Sequence, residues 1–406
     1  MWMRTKGSRI AVLSVHSSPL GRPGAKDTGG MSTYIREVAP ELAKRGVLLD
    51  IYTRVHNRRH SEIVGLAPGV RLIHLRAGSG KNLDKLLVYS YLPDFACNVE
   101  NFRKRNDIKY DLIFSHYWLS GVVGQTLQNW WQVPHVMMFH TLGAVKNALG
   151  IGEDEPELRI ETEGQLARNC QRIIAATKNE KSKLIQHYGA PAERIGVIPC
   201  GVNLDLFQPA DRLIAKRRLG LSDDMVILFV GRIEPLKGIE NLLRAMPYLQ
   251  NGNKPRLVII GGDGYSHSEI KKLRRLTAEL NIADSVTFSG LIDYEKMPAF
   301  YNAADVCVVP SYYESFGLVA LESLACGTPV VTTDVGDLKN IVLQGETGYV
   351  VTDNTPLQLA DKIALILSRP SLDMESMQFI RSSVAHFSWS NTAEALVKLF
   401  EEVLAK

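Results

Sequence analysis

Three segments of the 406-residue chain carry residue types that could together handle a charged leaving group. The first, Asp27-Thr-Gly-Gly-Met31, follows a loop at 17–26 and places paired glycines at a helix start. Without a Cβ, Gly29 and Gly30 let backbone N–H groups come close to an anion. The second, Gly231-Arg-Ile-Glu-Pro-Leu-Lys-Gly238, directly follows an apolar run and sets two cations, Arg232 and Lys237, on one turn. A departing diphosphate needs such charge in its transition state. The third, Glu314-Ser-Phe-Gly-Leu-Val-Ala-Leu-Glu322, spaces two carboxylates eight residues apart around a strand-to-helix turn. There the N–H groups of Phe316, Gly317, Leu318 and Val319 open a helix and face an anion. Glu322, two turns on, reaches ribose hydroxyls, and Glu314 stays in the loop near a sugar.

Taken singly, each segment has a plainer reading: a flexible loop with a glycine cap, two solvated charges, a helix-start carboxylate with an ordinary helical Glu. Together they describe a site for a nucleotide diphospho-sugar. The chain has no Asp-x-Asp, so a metal-clamped diphosphate is not expected, and Arg232 and Lys237 take the metal's place. Neither a GxGxxG fingerprint nor the Lys-Ser/Thr of a P-loop is present at the first segment.

The elements that must position these segments follow from hydrophobic patterning. Short apolar runs alternate with amphipathic stretches, the signature of βα units on parallel sheets. The first half predicts strands at 9–15, 47–53, 70–75, 111–115, 135–139, 172–176 and 196–198. Helices are predicted at 30–45, 84–105, 120–131, 157–169 and 179–188. After a linker at 199–209 a second cycle predicts strands at 225–230, 256–260, 286–289, 306–309, 329–332 and 348–351. Its helices fall at 238–249, 268–280, 294–303, 318–326 and 356–367. The expectation is an α/β protein of two facing Rossmann-like doubly wound domains, 1–203 and 204–386, with the site in the cleft between them.

Composition narrows the class. Apolar residues make up 45% and charged residues 22%, the balance of a folded globular chain. A net charge of +4 is too small for a nucleic-acid footprint. Cys97, Cys170, Cys200, Cys307 and Cys326 form no ligand spacing and read as reduced thiols of a cytoplasmic protein. No apolar signal core precedes residue 10, so export is not expected. The stretch 112–145 lacks Asp, Glu, Lys and Arg, yet His116, Gln125, Pro134 and His140 interrupt it. It reads as buried strand, helix and strand instead of a membrane span. The basic runs 54–60 and 103–105 read as solvated loops, with contact to anionic lipid as the other option. Trp130 and Trp131 read as packing, and His16, His116 and His140 lack the carboxylates of a metal site.

At Gly231–Gly238, Glu314–Glu322 and Ala325-Cys-Gly-Thr-Pro-Val-Val331 the chain resembles the retaining glycosyltransferases of family 4, which have the GT-B fold. The resemblance spans nearly the whole chain, including Gly201-Val-Asn203 and Phe387-Ser-Trp389. It implies that the C-terminal helix, 387–406, packs back on the N-terminal domain. Ser17-Ser-Pro-Leu20, Asp27–Met31, Ser115–Gly121 and His140–Asn147 look like the branch holding the inositol-phosphate glycosyltransferases and sucrose-phosphate synthases. That branch implies a UDP-sugar donor, no cofactor, and an acceptor phosphate held by Lys85, Tyr117, Thr141 and Arg159. Lys and Arg suit a phosphomonoester. His140 would lie beside the donor sugar. Ser32 stands where the inositol-phosphate enzymes have an acceptor-contacting Asn, which leaves the acceptor open between inositol phosphate and a sugar phosphate. A homodimer is compatible with the resemblance, and a peripheral membrane enzyme with a lipid acceptor is the alternative.

Retention of configuration poses a mechanistic question. Double displacement needs a carboxylate about 3 Å from the anomeric carbon, and Glu314 and Glu322 are assigned to hydroxyls. The expectation is front-face attack, in which the donor's own phosphate oxygen removes the acceptor proton.

Overall fold

The computed structural model describes residues 7–21, 24–25, 28–55, 61–79, 83–221, 225–249 and 254–405. Asp27 of the first segment and residues 56–60 of the basic run lie outside them.

Two sheets carry the architecture. The first contains β1 (Arg9–Leu13), β2 (Leu48–Arg54), β3 (Ile63–Ala67), β4 (Val70–Leu75), β5 (Leu112–His116), β6 (His135–Met138), β7 (Arg172–Ala175) and β8 (Ile195–Val197), in the order β3-β4-β2-β1-β5-β6-β7-β8. The second contains β9 (Val226–Val230), β10 (Arg256–Ile260), β11 (Val286–Gly290), β12 (Val306–Val309), β13 (Val330–Thr333) and β14 (Gly348–Val351), in the order β11-β10-β9-β12-β13-β14. Every pairing is parallel except β3 on β4. Helices cover both faces, so central strands such as β5 and β12 are buried at every residue and read as unbroken apolar runs.

The helices of the first half are α1 (Gly30–Lys44), α2 (Lys85–Ser90), α3 (Leu92–Arg105), α4 (Trp118–Trp131), α5 (Gly143–Asn147), α6 (Glu157–Asn169) and α7 (Lys178–Tyr188). Those of the second are α8 (Arg212–Arg218), α9 (Ile239–Ala245), α10 (His267–Glu279), α11 (Met297–Ala303), α12 (Leu318–Ala325), α13 (Leu338–Ile341), α14 (Pro356–Leu367) and α15 (Met374–Val384). A last helix, α16 (Trp389–Leu404), lies against α1. There Arg45 Nη2 donates to the Ser390 carbonyl at 2.8 Å, Trp389 meets Tyr34 edge-on at 5.5 Å, and Phe400 meets Phe114 at 5.5 Å.

Several elements depart from the patterning. The helix expected at 84–105 is two helices that break at Tyr91, because Pro93 cannot donate to the preceding turn and its ring would strike that turn's carbonyl. Strand β3, half exposed on the sheet edge, was not expected, since a five-residue run with a central Gly65 carries little strand signal. The patterning does not predict helices α5, α8, α13 and α15 either. The stretch 112–145 is β5, α4 and β6, as the patterning indicates. No helix among the described residues is long and apolar enough to cross a membrane. All five cysteines are free, and Cys97 alone among them is exposed.

In both sheets the strand order reverses beside the first strand, between β1 and β5 and between β9 and β12. In a parallel sheet such a switch point opens a crevice at the carboxyl ends of the strands. The loop after β1 leads to Gly29. The loops after β9 and β12 are the 231–238 and 310–317 segments.

Candidate active site

One cleft between the sheets brings the three segments together. Its walls include Gly29, Gly30, Arg232, Lys237, Glu314, Phe316, Gly317, Leu318, Val319 and Glu322. A Cβ placed on Gly29 would lie 3.8 Å from Arg232 Nε, and one on Gly30 would lie 3.5 Å from Leu318 Cδ1. The glycine pair therefore faces Arg232 and the start of α12 at close range. Gly317, which caps α12, has φ 122°, and a Cβ there would sit 2.5 Å from Leu338 Cδ2. Only glycine lets the backbone pass and leaves the first amides of α12 turned to the cleft.

The two cations are each engaged by an acid. Lys237 Nζ lies 2.5 Å from Glu314 Oε1, which also accepts from Ser311 Oγ at 2.8 Å. Arg232 Nη2 lies 2.9 Å from Glu234 Oε1. Burial works to raise the Glu234 carboxyl, yet Arg232, Lys237, Lys146 and Lys85 outweigh it and hold the group below its ordinary range. All four cations line the same cleft, two from each half of the chain. Glu234 and Lys146 were missed as site residues. Glu234 lies inside the second segment, between its two cations, and Lys146 lies inside the 140–147 stretch.

Glu322 is buried within α12 and accepts from the Tyr301 hydroxyl at 2.7 Å. Burial pushes its carboxyl up to about 7. Glu180, at the floor of the cleft, is likewise pushed up to about 7 by burial; one oxygen accepts from the Ala176 amide at 2.7 Å and the other has no partner. Spacing carries no signal for Glu180, which the first turn of α7 delivers.

On the first-sheet side, Lys85, Tyr117, Thr141 and Arg159 converge on the same cleft. Lys85 Nζ stands 5.6 Å from the Tyr117 ring centre and the Arg159 guanidinium 4.8 Å from it. Arg159 is only 1% exposed. Its Nε lies 2.7 Å from Glu163, its Nη1 2.8 Å from Glu155, and its Nη2 donates to Thr141 Oγ1 at 2.9 Å. Lys146 also pairs with Glu155. Ser32 is not brought to the cleft wall: it is 2% exposed and its Oγ lies 2.6 Å from Ser17 Oγ. The hydroxyl turns to Ser17 in the loop after β1, and the structure does not bring Ser32 together with Lys85, Tyr117, Thr141 and Arg159.

His140 sits at the sheet edge with φ 62° and Tyr117 with φ 74°, conformations that non-glycine residues hold only when the surroundings enforce them. For His140 the enforcement crosses between the halves, since Ser315 Oγ donates to its carbonyl. Next to it, the Leu142 amide donates to the Tyr313 hydroxyl at 3.1 Å. The loop carrying Glu314 is thus pinned to the His140 turn. His116 Nδ1 and His140 Nε2 are 2.8 Å apart. Burial holds both imidazoles below their ordinary range, to about 3 for His140, so they share one N–H as neutral rings. No group of three or more His, Cys, Asp or Glu able to hold a metal ion occurs among the described residues.

Comparison with known proteins is consistent with this geometry. Residues 28–206 match the model described as Glycosyltransferase Family 4, and residues 211–382 match Glycosyl transferases group 1. A D-inositol 3-phosphate glycosyltransferase of Corynebacterium jeikeium is 41% identical over 405 residues, covering 97% of each chain. The chain belongs to glycosyltransferase family 4. It is a glycosyltransferase with the GT-B fold. A second D-inositol 3-phosphate glycosyltransferase, from Acidothermus cellulolyticus, is 41% identical over 98% of this chain and 91% of its own. Among solved structures, the sucrose-phosphate synthase of Thermosynechococcus elongatus superposes with a TM-score of 0.89 at 34% identity, over 98% and 99% of the two chains. HepE of Anabaena, solved with UDP and glucose, has a TM-score of 0.75 over 97% and 100% at 18% identity, a likeness of fold alone.

Proposed function

We propose that this glycosyltransferase moves a hexose, of glucose or N-acetylglucosamine type, from a UDP-sugar to a small phosphorylated acceptor, with retention and without a metal. The observation that carries the reading is the convergence on one cleft of Arg232 and Lys237 with the amide-bearing turns at Gly29 and Gly317, opposite the Lys85, Tyr117, Thr141 and Arg159 group. Relatives named for inositol 3-phosphate and sucrose phosphate support a phosphorylated acceptor.

In this reading the diphosphate lies between the glycine pair and the first turn of α12, where amide dipoles favour negative charge. As the anomeric C–O bond breaks, charge grows on the β-phosphate, and Lys237 and Arg232 stabilise it. Glu314 and Glu234 hold those cations in place beforehand, so no side chain reorganises during the step. The donor's phosphate oxygen takes the acceptor proton on the face it leaves, and no protein nucleophile is required. Glu322 accepts from the ribose hydroxyls, and His140 contacts the sugar. The acceptor phosphate binds over Tyr117 with Lys85, Thr141 and Arg159. Glu155 and Glu163 keep Arg159 rigid and set the orientation of its remaining donors. No cofactor enters the reaction.

A donor-by-acceptor activity screen tests this. UDP-glucose and UDP-N-acetylglucosamine are paired with inositol phosphate, fructose 6-phosphate and their unphosphorylated counterparts. Turnover with a phosphorylated acceptor, and at least about tenfold less with its counterpart, is the expected result. Equal turnover with both overturns the acceptor assignment.

A further inference from the structure

A second cavity, of about 220 Å³, opens at the opposite end of the second sheet. Its walls include Arg212, Asp305, Pro329 and Arg369. Asp305 and Pro329 precede β12 and β13, whereas the cleft is built on loops that follow β9 and β12. A five-residue strand spans roughly 17 Å, so the cavity cannot share a ligand with the reacting groups.

Its chemistry centres on Arg212, which is 8% exposed although charged. Its Nη1 lies 3.5 Å from Asp305 Oδ1, a long contact. Asp305 is already served by Lys216 Nζ at 2.7 Å and the Val226 amide at 2.7 Å, both on its other oxygen. The Nε and Nη2 atoms of Arg212 are buried and have no hydrogen-bond partner. These two nitrogens form one edge of the guanidinium, with N–H bonds nearly parallel, the fork that receives two oxygens of a carboxylate or phosphate. Burying such donors unmet is costly. Arg369, a second guanidinium on the wall, is oriented by its bonds to the Gly345 carbonyl at 2.9 Å and the Tyr349 hydroxyl at 2.7 Å.

We infer that this cavity is an oxyanion site, taking the phosphate or carboxylate of a small molecule on the Nε–Nη2 edge of Arg212 with Arg369 opposite. The rest of the wall joins apolar Met225, Ile366, Leu372 and Ile380, which suit an apolar body behind the anionic group, to the Ser371 hydroxyl and the Glu346 carboxylate, which confines an anion to the arginine side. Ile380 precedes Arg381, whose guanidinium donates to the carbonyls of Leu204, Phe207 and Ala325. The site therefore adjoins the residue that clamps the connection between the two halves.

The test is calorimetric titration of inorganic phosphate, and separately acetate, into the full chain carrying Lys85→Gln and saturated with UDP, which weakens the cleft's own anion sites. One anion per chain should bind this background, and the preferred probe tells phosphate from carboxylate. Adding Arg212→Gln should weaken binding about tenfold or more, as loss of a bidentate pair does. Arg369→Gln, on a less buried residue, should weaken it several-fold and serves if Arg212→Gln does not fold. Retained UDP affinity in each variant shows that the fold is intact. The inference is overturned if neither anion binds the background, or if binding persists unchanged in the Arg212 and Arg369 variants.

Discussion

Replacing Lys237 by methionine preserves length and apolar stem while deleting the charge beside the expected leaving group. The ammonium is mostly buried and sits 2.5 Å from Glu314 Oε1. A unit charge growing about 4 Å away through an effective dielectric near 20 is stabilised by about 4 kcal/mol. Glu314 opposes part of that, which leaves roughly 3 kcal/mol, the size seen when one preorganised donor is removed from an active site. Turnover should therefore fall about 100- to 1,000-fold. The assay is kcat under saturating donor and acceptor, with UDP affinity measured alongside to separate ground-state binding from the chemical step. The variant also strands the Glu314 carboxylate, so Lys237→Met with Glu314→Gln should regain thermal stability without regaining turnover. A kcat loss below about tenfold, roughly 1.4 kcal/mol, in a folded Lys237→Met protein would refute a leaving-group role for this cation.

Other expectations follow from single features. The folded chain holds the Glu322 and Glu180 protons to about pH 7, while the unfolded chain releases them near the ordinary carboxylate range. Between about pH 4.5 and 7 the folded state binds more protons, so stability falls as pH rises and then levels off, by an order of 1–3 kcal/mol per group. Chemical denaturation at pH 5 and pH 7.5 should show this decline, and Glu322→Gln should remove its share. Gly317→Ala forces a Cβ to within 2.5 Å of Leu338 and strains φ 122°; a loss of about 1–3 kcal/mol in stability is expected, together with weaker UDP binding. Arg159→Gln leaves Glu163 and Glu155 without their buried partner. It should raise KM for a phosphorylated acceptor at least about tenfold while UDP affinity stays within about twofold; equal changes in both would tie Arg159 to the fold rather than the acceptor.

Much of the scaffold is legible in the residues alone because parallel sheets bury whole strands. Runs such as Ile227–Val230 and Val306–Val309 can be read without knowing their neighbours. The three loops that meet at the cleft are legible only in combination, since a glycine cap, a pair of cations after a strand or a helical Glu has a plainer use when taken singly. What patterning could not supply is pairing. That Lys237 is held by Glu314 and Arg232 by Glu234, that Ser32 turns to Ser17, and that Glu180 lies beneath the cleft depend on which strand neighbours which and on how α1 rolls against its sheet. The Arg212 cavity shows the same limit, because its guanidinium gains meaning only when Asp305, nearly a hundred positions away, is already taken by Lys216. Local sequence determines backbone shape and burial, which act over a few residues. The protonation, orientation and partner of a charged group depend on everything within several ångströms, and only the tertiary structure decides what that is.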